Sequence, residues 1–75
     1  MKTYKNLSGN SGIVRYQAIA GAITVQFHDG WKYLYTDQSV GAANIVHMQQ
    51  LAASGRGLST FIAQSIREKY VRKWQ

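Results

Sequence analysis

The side chains able to move protons or hold metals are few: Asp29, Asp37 and Glu68 are the only carboxylates, His28 and His47 the only imidazoles, and Cys is absent. General acid and base catalysis by paired carboxylates needs two of them converging on one substrate, and a hairpin turn, a helix start and a basic segment give no reason for that. His28 and Asp29 are sequence neighbours in a turn, whereas a triad base and its orienting group must meet across space. His47 falls on the shoulder of a helix beside Leu51, the setting of a partly buried, hydrogen-bonded imidazole. Two imidazoles nineteen positions apart, with no thiolate, fall short of the three protein ligands of a catalytic zinc site. The expectation is no catalytic residue, no metal, no cofactor and no small-molecule substrate.

Gly55-Arg56-Gly57 precedes a helical pattern, and free amides at a helix start can receive an anion. Neither a full dinucleotide fingerprint nor a P-loop is present, and the segment follows a helix rather than a strand. A helix cap followed by a tight turn is one reading. A phosphate held by Arg56 and the amides near Leu58 and Ser59 is the other.

Charge carries more information. Nine basic against three acidic residues give a formal net charge of +6. Arg56, Arg67, Lys69, Arg72 and Lys73 stand in the last twenty positions against the single acid Glu68. On a helical wheel Lys69 and Lys73 lie near the apolar arc of Leu58, Ile62, Ile66 and Tyr70, which predicts that the last turns of a C-terminal helix project beyond the core. Such a helix could track phosphates with Arg67, Lys69, Arg72 and Lys73 while Trp74 stacks on a base. A solvated helix end, with Trp74 folded back on Tyr70, is the competing reading.

The elements that must position these groups follow from periodicity. Seventy-five residues, 45% hydrophobic and 16% charged, describe one globular domain spanning 1–75. A chain this short buries only about 60% of its unfolded surface, and without disulfides its five Tyr, two Phe and two Trp must supply the packing. Residues 1–12 read as an ordered arm with Tyr4 and Leu7 as anchors. Three runs rich in β-branched and aromatic residues fill Ile13 to Tyr35, separated by Ala20-Gly21 and His28-Asp29-Gly30. Hairpin geometry then opposes Phe27 to Trp31, Val25 to Tyr33 and Ile23 to Tyr35; across the first turn it opposes Ala18 to Ile23, Tyr16 to Val25 and Val14 to Phe27. One face becomes an apolar wall, and the other carries Arg15, Gln17, Thr24, Gln26, Lys32 and Leu34. Cap-type Thr36, Asp37 and Ser39 open a helix whose apolar positions are Ile45, Met48, Leu51 and Ala52, ending at Ser54-Gly55. A second helix, capped by Ser59, runs from Leu58 through Tyr70 to Trp74. The predicted fold is α+β: a three-stranded antiparallel meander covered on one face by two C-terminal helices. The aromatic wall is expected to be core, leaving the open face with cations but no ring for stacking a base.

The order of these motifs resembles the KTSC-like family of small bacterial proteins. The first half, Ser8-Gly9-Asn10-Ser11-Gly12-Ile13, Tyr16, Ile23 to Gly30 and Tyr33-Leu34-Tyr35, is similar to its N-terminal half, and Gly55-Arg56-Gly57-Leu58, Phe61-Ile62 and Ile66-Arg67-Glu68-Lys69-Tyr70 to its second. The resemblance spans roughly residues 4 to 72. Asp37-Gln38 replaces the Val-Pro that often follows the tyrosine strand, and Ile62 or Ala63 stands where an Asn is often found, which places the chain on a divergent, stand-alone branch. The resemblance implies a strand-rich half followed by helices and no catalytic residues. Members also occur at the C-terminus of some lysyl-tRNA synthetases, which implies RNA or tRNA as a partner.

Two functions are therefore expected to compete: a non-catalytic nucleic-acid-binding module using Arg56, Arg67, Lys69, Arg72, Lys73 and Trp74, and a protein-interaction or homodimerising module using a sheet edge, the open face around Leu34 or the Trp74 tail. With no apolar run near the roughly 20 residues that span a bilayer and no signal-type segment, no membrane partner and a cytoplasmic location are expected.

Overall fold

The computed structural model describes residues 1–9 and 11–75; position 10, in the expected N-terminal arm, lies outside the described residues. The fold is α+β, with five antiparallel strands in the order of the chain: β1 (Lys2–Thr3), β2 (Ile13–Ile19), β3 (Ala22–Phe27), β4 (Lys32–Thr36) and β5 (Arg72–Trp74). Between β4 and β5 come α1 (Asp37–Val40), α2 (Ala42–Ser54), α3 (Leu58–Phe61) and a π-helical turn, Ile62–Ile66.

The central meander forms in the expected register. Ala18 pairs with Ile23, Tyr16 with Val25, Val25 with Tyr33 and Ile23 with Tyr35. In the second turn Gly30 takes the left-handed conformation (φ +93°). There the Phe27 N–H donates to the Trp31 carbonyl (2.9 Å), and Asp29 Oδ1 accepts from the Trp31 N–H (3.0 Å). One pairing differs. A bulge between Ile13 and Arg15 puts Ile13, not Val14, opposite Phe27. Ile13 is then fully buried while Val14 turns outward. The extra residue lets the arm bend across the sheet, where β1 pairs with β2. Tyr4 anchors that arm at 3% exposure, whereas Leu7 is held only by its backbone, its side chain 55% exposed.

Thr36 caps α1 with a reciprocal box: its Oγ1 accepts from the Ser39 N–H (3.2 Å), and the Ser39 hydroxyl oxygen accepts from the Thr36 N–H (3.0 Å). This satisfies two amide donors of the helix start. Gly41 (φ +95°) interrupts the expected single helix, and α2 begins at Ala42. Ile45, Met48 and Ala52 of α2 lie buried with Ile23, Val25 and Tyr35 of the sheet. Gln49 Nε2 donates to the carbonyls of Ile19 (2.8 Å) and Ala22 (2.9 Å), tying α2 to the first hairpin.

The C-terminal segment corrects the prediction most. The second helix does not run to Trp74. It ends at Ile66, the chain turns through Arg67 and Glu68 with the Lys69 N–H donating to the Ile66 carbonyl (2.9 Å), and residues 72–74 return as β5. Nor does Ser59 cap α3; the cap position is Gly57, in the left-handed conformation. A continued helix would hold Lys69 and Lys73 beside an apolar arc. Reversal instead puts Tyr70 edge-to-face on Tyr33 (centroids 5.2 Å apart) and Tyr35 (6.5 Å), and pairs Lys32 with Trp74, Tyr33 with Lys73 and Leu34 with Arg72. The sheet therefore has five strands rather than three.

Gly55 ends α2 at φ +83°, its N–H donating to the Leu51 carbonyl (3.0 Å) and its carbonyl accepting from the Leu7 N–H (2.7 Å). A Cβ here would sit 2.6 Å from Lys5 Cβ, whereas one at Gly30 would meet open space. Gly30→Ala therefore carries only the left-handed strain, about 1–2 kcal/mol. Gly55→Ala adds displacement of the arm. Thermal unfolding should show Gly55→Ala losing more than Gly30→Ala, on a scale of roughly 4–8 °C per kcal/mol; equal losses would mean that the arm does not seat on Gly55.

Candidate nucleic-acid interface

Strand alternation divides the basic C-terminal segment between two surfaces. Lys73, opposite Tyr33, belongs to the helix-bearing side of the sheet, and Arg72 and Trp74, opposite Leu34 and Lys32, belong to the other. On that open side the Arg72 guanidinium lies 4.8 Å from the centroid of the Trp74 ring, a cation–π contact that holds ring and charge together. Lys32 is directly across from Trp74, and Arg15 projects from the same side further along the sheet. The open face thus carries an aromatic ring after all. Sequence reasoning missed it because the wheel placed Trp74 on a helix.

The other side of β5 borders a cleft of about 540 Å³. It lies where α2, packed against β3 and β4, gives way to the single turn of α3 and to the π-helical turn, which is anchored in the core by Ile62 and Ile66. Phe27, Tyr33, Tyr35 and Tyr70 form its floor, with Ser59, Ile62 and Ala63 opposite. Phe27 and Tyr33 meet edge-to-face at 5.4 Å. The rim carries His28 and Asp29 from the β3–β4 turn, Arg67 and Glu68 from the turn after the π-helical segment, and Lys73 from β5. The Lys73 ammonium lies 5.4 Å from the Trp31 ring centroid and 5.8 Å from that of Tyr70. Of the wall rings expected to be core, Tyr16 and Tyr35 are so, at 8% and 1% exposure, but Phe27, Trp31 and Tyr33 are only partly buried, as is Tyr70.

The predicted site residues separate accordingly. Arg67 and Lys73 share the cleft, Arg72 and Trp74 share the open face, and Lys69 is exposed in the connecting turn. Arg56 stands apart in the exposed α2–α3 turn, on the side where the arm docks. That turn is a poor anion cradle. The Leu58 N–H points to the Tyr4 hydroxyl (3.4 Å), and α3 is only four residues long. His47 is exposed on α2 with its ring edge-to-face on Phe61 (4.8 Å), rather than partly buried. Among the described residues no three of His, Asp and Glu gather as a metal site would require, and no helix is long and apolar enough to cross a membrane.

Comparison with family models, with curated proteins and with solved structures returns no match.

Tyr35 reports on the floor of the cleft. Burial, reinforced by the neighbouring Tyr33 and Tyr70 phenols, pushes its pKa from 10.0 up to about 12. The fold holds the phenol neutral after the unfolded chain has begun to ionise, so its contribution to stability is complete below pH 10 and is lost as pH rises towards 12. Ultraviolet titration of phenolate should show one tyrosine ionising near pH 12, a step absent from Tyr35→Phe. Ionisation of every tyrosine near the free-phenol value would mean that the cleft floor is open to water.

Proposed function

We propose that the chain is a small non-catalytic module that binds single-stranded RNA, a divergent relative of the KTSC-like proteins working in the cytoplasm. The observation that carries this reading is the pairing of β5 with β4, which sets Arg72 and Trp74 beside Lys32 on a sheet face that no helix covers. Successive bases stack on exposed rings whatever their sequence, and cations beside the ring take the phosphates. With nine cations against three acidic side chains, at least six cations have no one-to-one carboxylate partner within the chain. Phosphates supply the missing charge. Arg67, Lys69 and Lys73 extend the contact around the edge of the sheet, and Arg56 adds long-range attraction. Bases locked in a duplex keep their faces stacked on each other, so a single strand is favoured over double-stranded DNA.

The alternative, a protein partner or a homodimer, would use the free edge of β5. Antiparallel pairing of two copies centred on Lys73 would oppose the two lysines and place Arg72 close by, and like charges directly opposite destabilise a ladder. Charged edges of this kind protect a sheet from self-pairing. The edge therefore favours a polyanion over a second copy.

Fluorescence anisotropy with labelled single-stranded RNA, tRNA and duplex DNA tests the proposal. The logarithm of affinity should fall linearly with that of salt, by about 0.7 for each phosphate neutralised on a single strand. Arg72→Ala and Lys69→Ala should each flatten that slope. Trp74→Ala should weaken binding by about 5- to 150-fold, the range for loss of one stacked base. Affinity indifferent to salt, or a Trp74→Ala variant that binds as the parent does, would overturn the reading.

A further inference from the structure

We propose that the cleft between the tyrosine side of the sheet and the π-helical turn receives one unstacked nucleobase of the bound strand, with its flanking phosphates on Lys73 and Arg67. This rests on the RNA-binding reading and gives it a second contact. At about 540 Å³ the cleft lies within the range of sites that take small organic groups, about 300–1,000 Å³. Its floor is aromatic. Phe27, Tyr33 and Tyr70 are half-buried, so each keeps ring surface turned to the opening, and planar rings of this kind bind a base by stacking or edge contact.

Charge selects the base over other occupants. Two cations, Arg67 and Lys73, balance two carboxylates, Asp29 and Glu68, around the cleft. A phosphate seated inside would face both carboxylates, and a metal ion would face both cations. An electrically neutral, polar-edged ring suits the balance, with the backbone outside on the basic lip. Asp29 Oδ1 is occupied by the Trp31 N–H, which leaves its second oxygen and the Glu68 carboxylate as acceptors. Carboxylates accept from exocyclic amines such as cytosine N4, so the cleft favours cytosine, adenine or guanine over uracil.

Geometry joins the two contacts. Lys73 faces the cleft while its neighbours Arg72 and Trp74 face the open sheet. A strand crossing β5 meets a cation on each side of it, with one base on Trp74 and another turned into the cleft.

The test uses equal-length oligomers of cytidine, uridine and abasic ribose phosphate with the parent protein and with Ala63→Trp. Ala63 is exposed and lines the cleft, so the larger ring fills it from the solvent side. The cytidine oligomer should bind the parent more tightly than the uridine or abasic ones, and Ala63→Trp should weaken it by about tenfold or more, the size of one lost stacking contact. Binding of the abasic oligomer should be unchanged by Ala63→Trp. Should the variant not fold, NMR titration of the parent with cytidine 5′-monophosphate replaces it: amide shifts at Ala63, Glu68 and Tyr70 support the proposal, and shifts confined to residues 72–74 overturn it. Cytidine and uridine oligomers that bind alike, both more tightly than the abasic one and both indifferent to Ala63→Trp, would sink the cleft while leaving the open-face stack standing; salt-dependent binding that ignores the base altogether would sink both. Failure of every oligomer to bind would sink both.

Discussion

The hydrogen bond from the Val71 N–H to the Leu34 carbonyl (2.7 Å) opens the ladder on which the placement of the C-terminal cations and Trp74 depends. Without it β4 would be an edge strand with Leu34 bare, and the last residues would have no fixed place. With it, strand alternation does what a helix could not, sending Lys73 to one side of the sheet and Arg72 with Trp74 to the other. On a helix Lys69, Arg72 and Lys73 would gather on one side. On β5 Arg72 and Lys73 belong to two distinct surfaces that share a border.

The aromatic wall serves two ends. Beneath α2, Tyr35 joins Ile23, Val25, Ile45 and Met48 in a core that, among the described residues, holds no buried polar or charged residue. Each such apolar residue contributes roughly 1.5–3 kcal/mol by leaving water, which matters in a chain with no disulfide. Beyond α2 the wall continues as Phe27, Tyr33 and Tyr70, which stack edge-to-face on one another rather than under a helix. Leaving these rings partly exposed forgoes some of the burial energy that a longer second helix would recover. These rings line the cleft and keep part of their surface in reach of solvent.

Much of this was legible in the residues. Ala20-Gly21 and His28-Asp29-Gly30 punctuate runs of clear period-two alternation, so the central registers could be read from turn chemistry alone. Thr36 and Ser39 announced the helix start, and Gly55 its end. Three features were not legible, each for a physical reason. The bulge at Ile13 and Arg15 depends on how the arm must bend, which neighbouring residues do not encode. The break after Ile66 lacks Pro or Gly; Ile66, Tyr70 and Trp74 satisfy a helical period, while Val71, Lys73 and Gln75 alternating with Arg72 and Trp74 also suit a short strand, and the vacant edge of β4 decides between them. The cleft reflects how far α3 and the π-helical turn reach over the sheet, a tertiary quantity. The candidate cations were visible from charge clustering; the division between two surfaces was not.

The most direct measurement is the pattern of nuclear Overhauser effects in the C-terminal ten residues. Cross-strand contacts linking residues 32–34 to residues 72–74, with slowed amide exchange at Val71, are the result this account predicts. Sequential helical contacts running unbroken from Ile66 to Trp74 would contradict it, because Lys73 would then no longer be separated from Arg72 and Trp74 by the two sides of a strand and neither surface described above would exist.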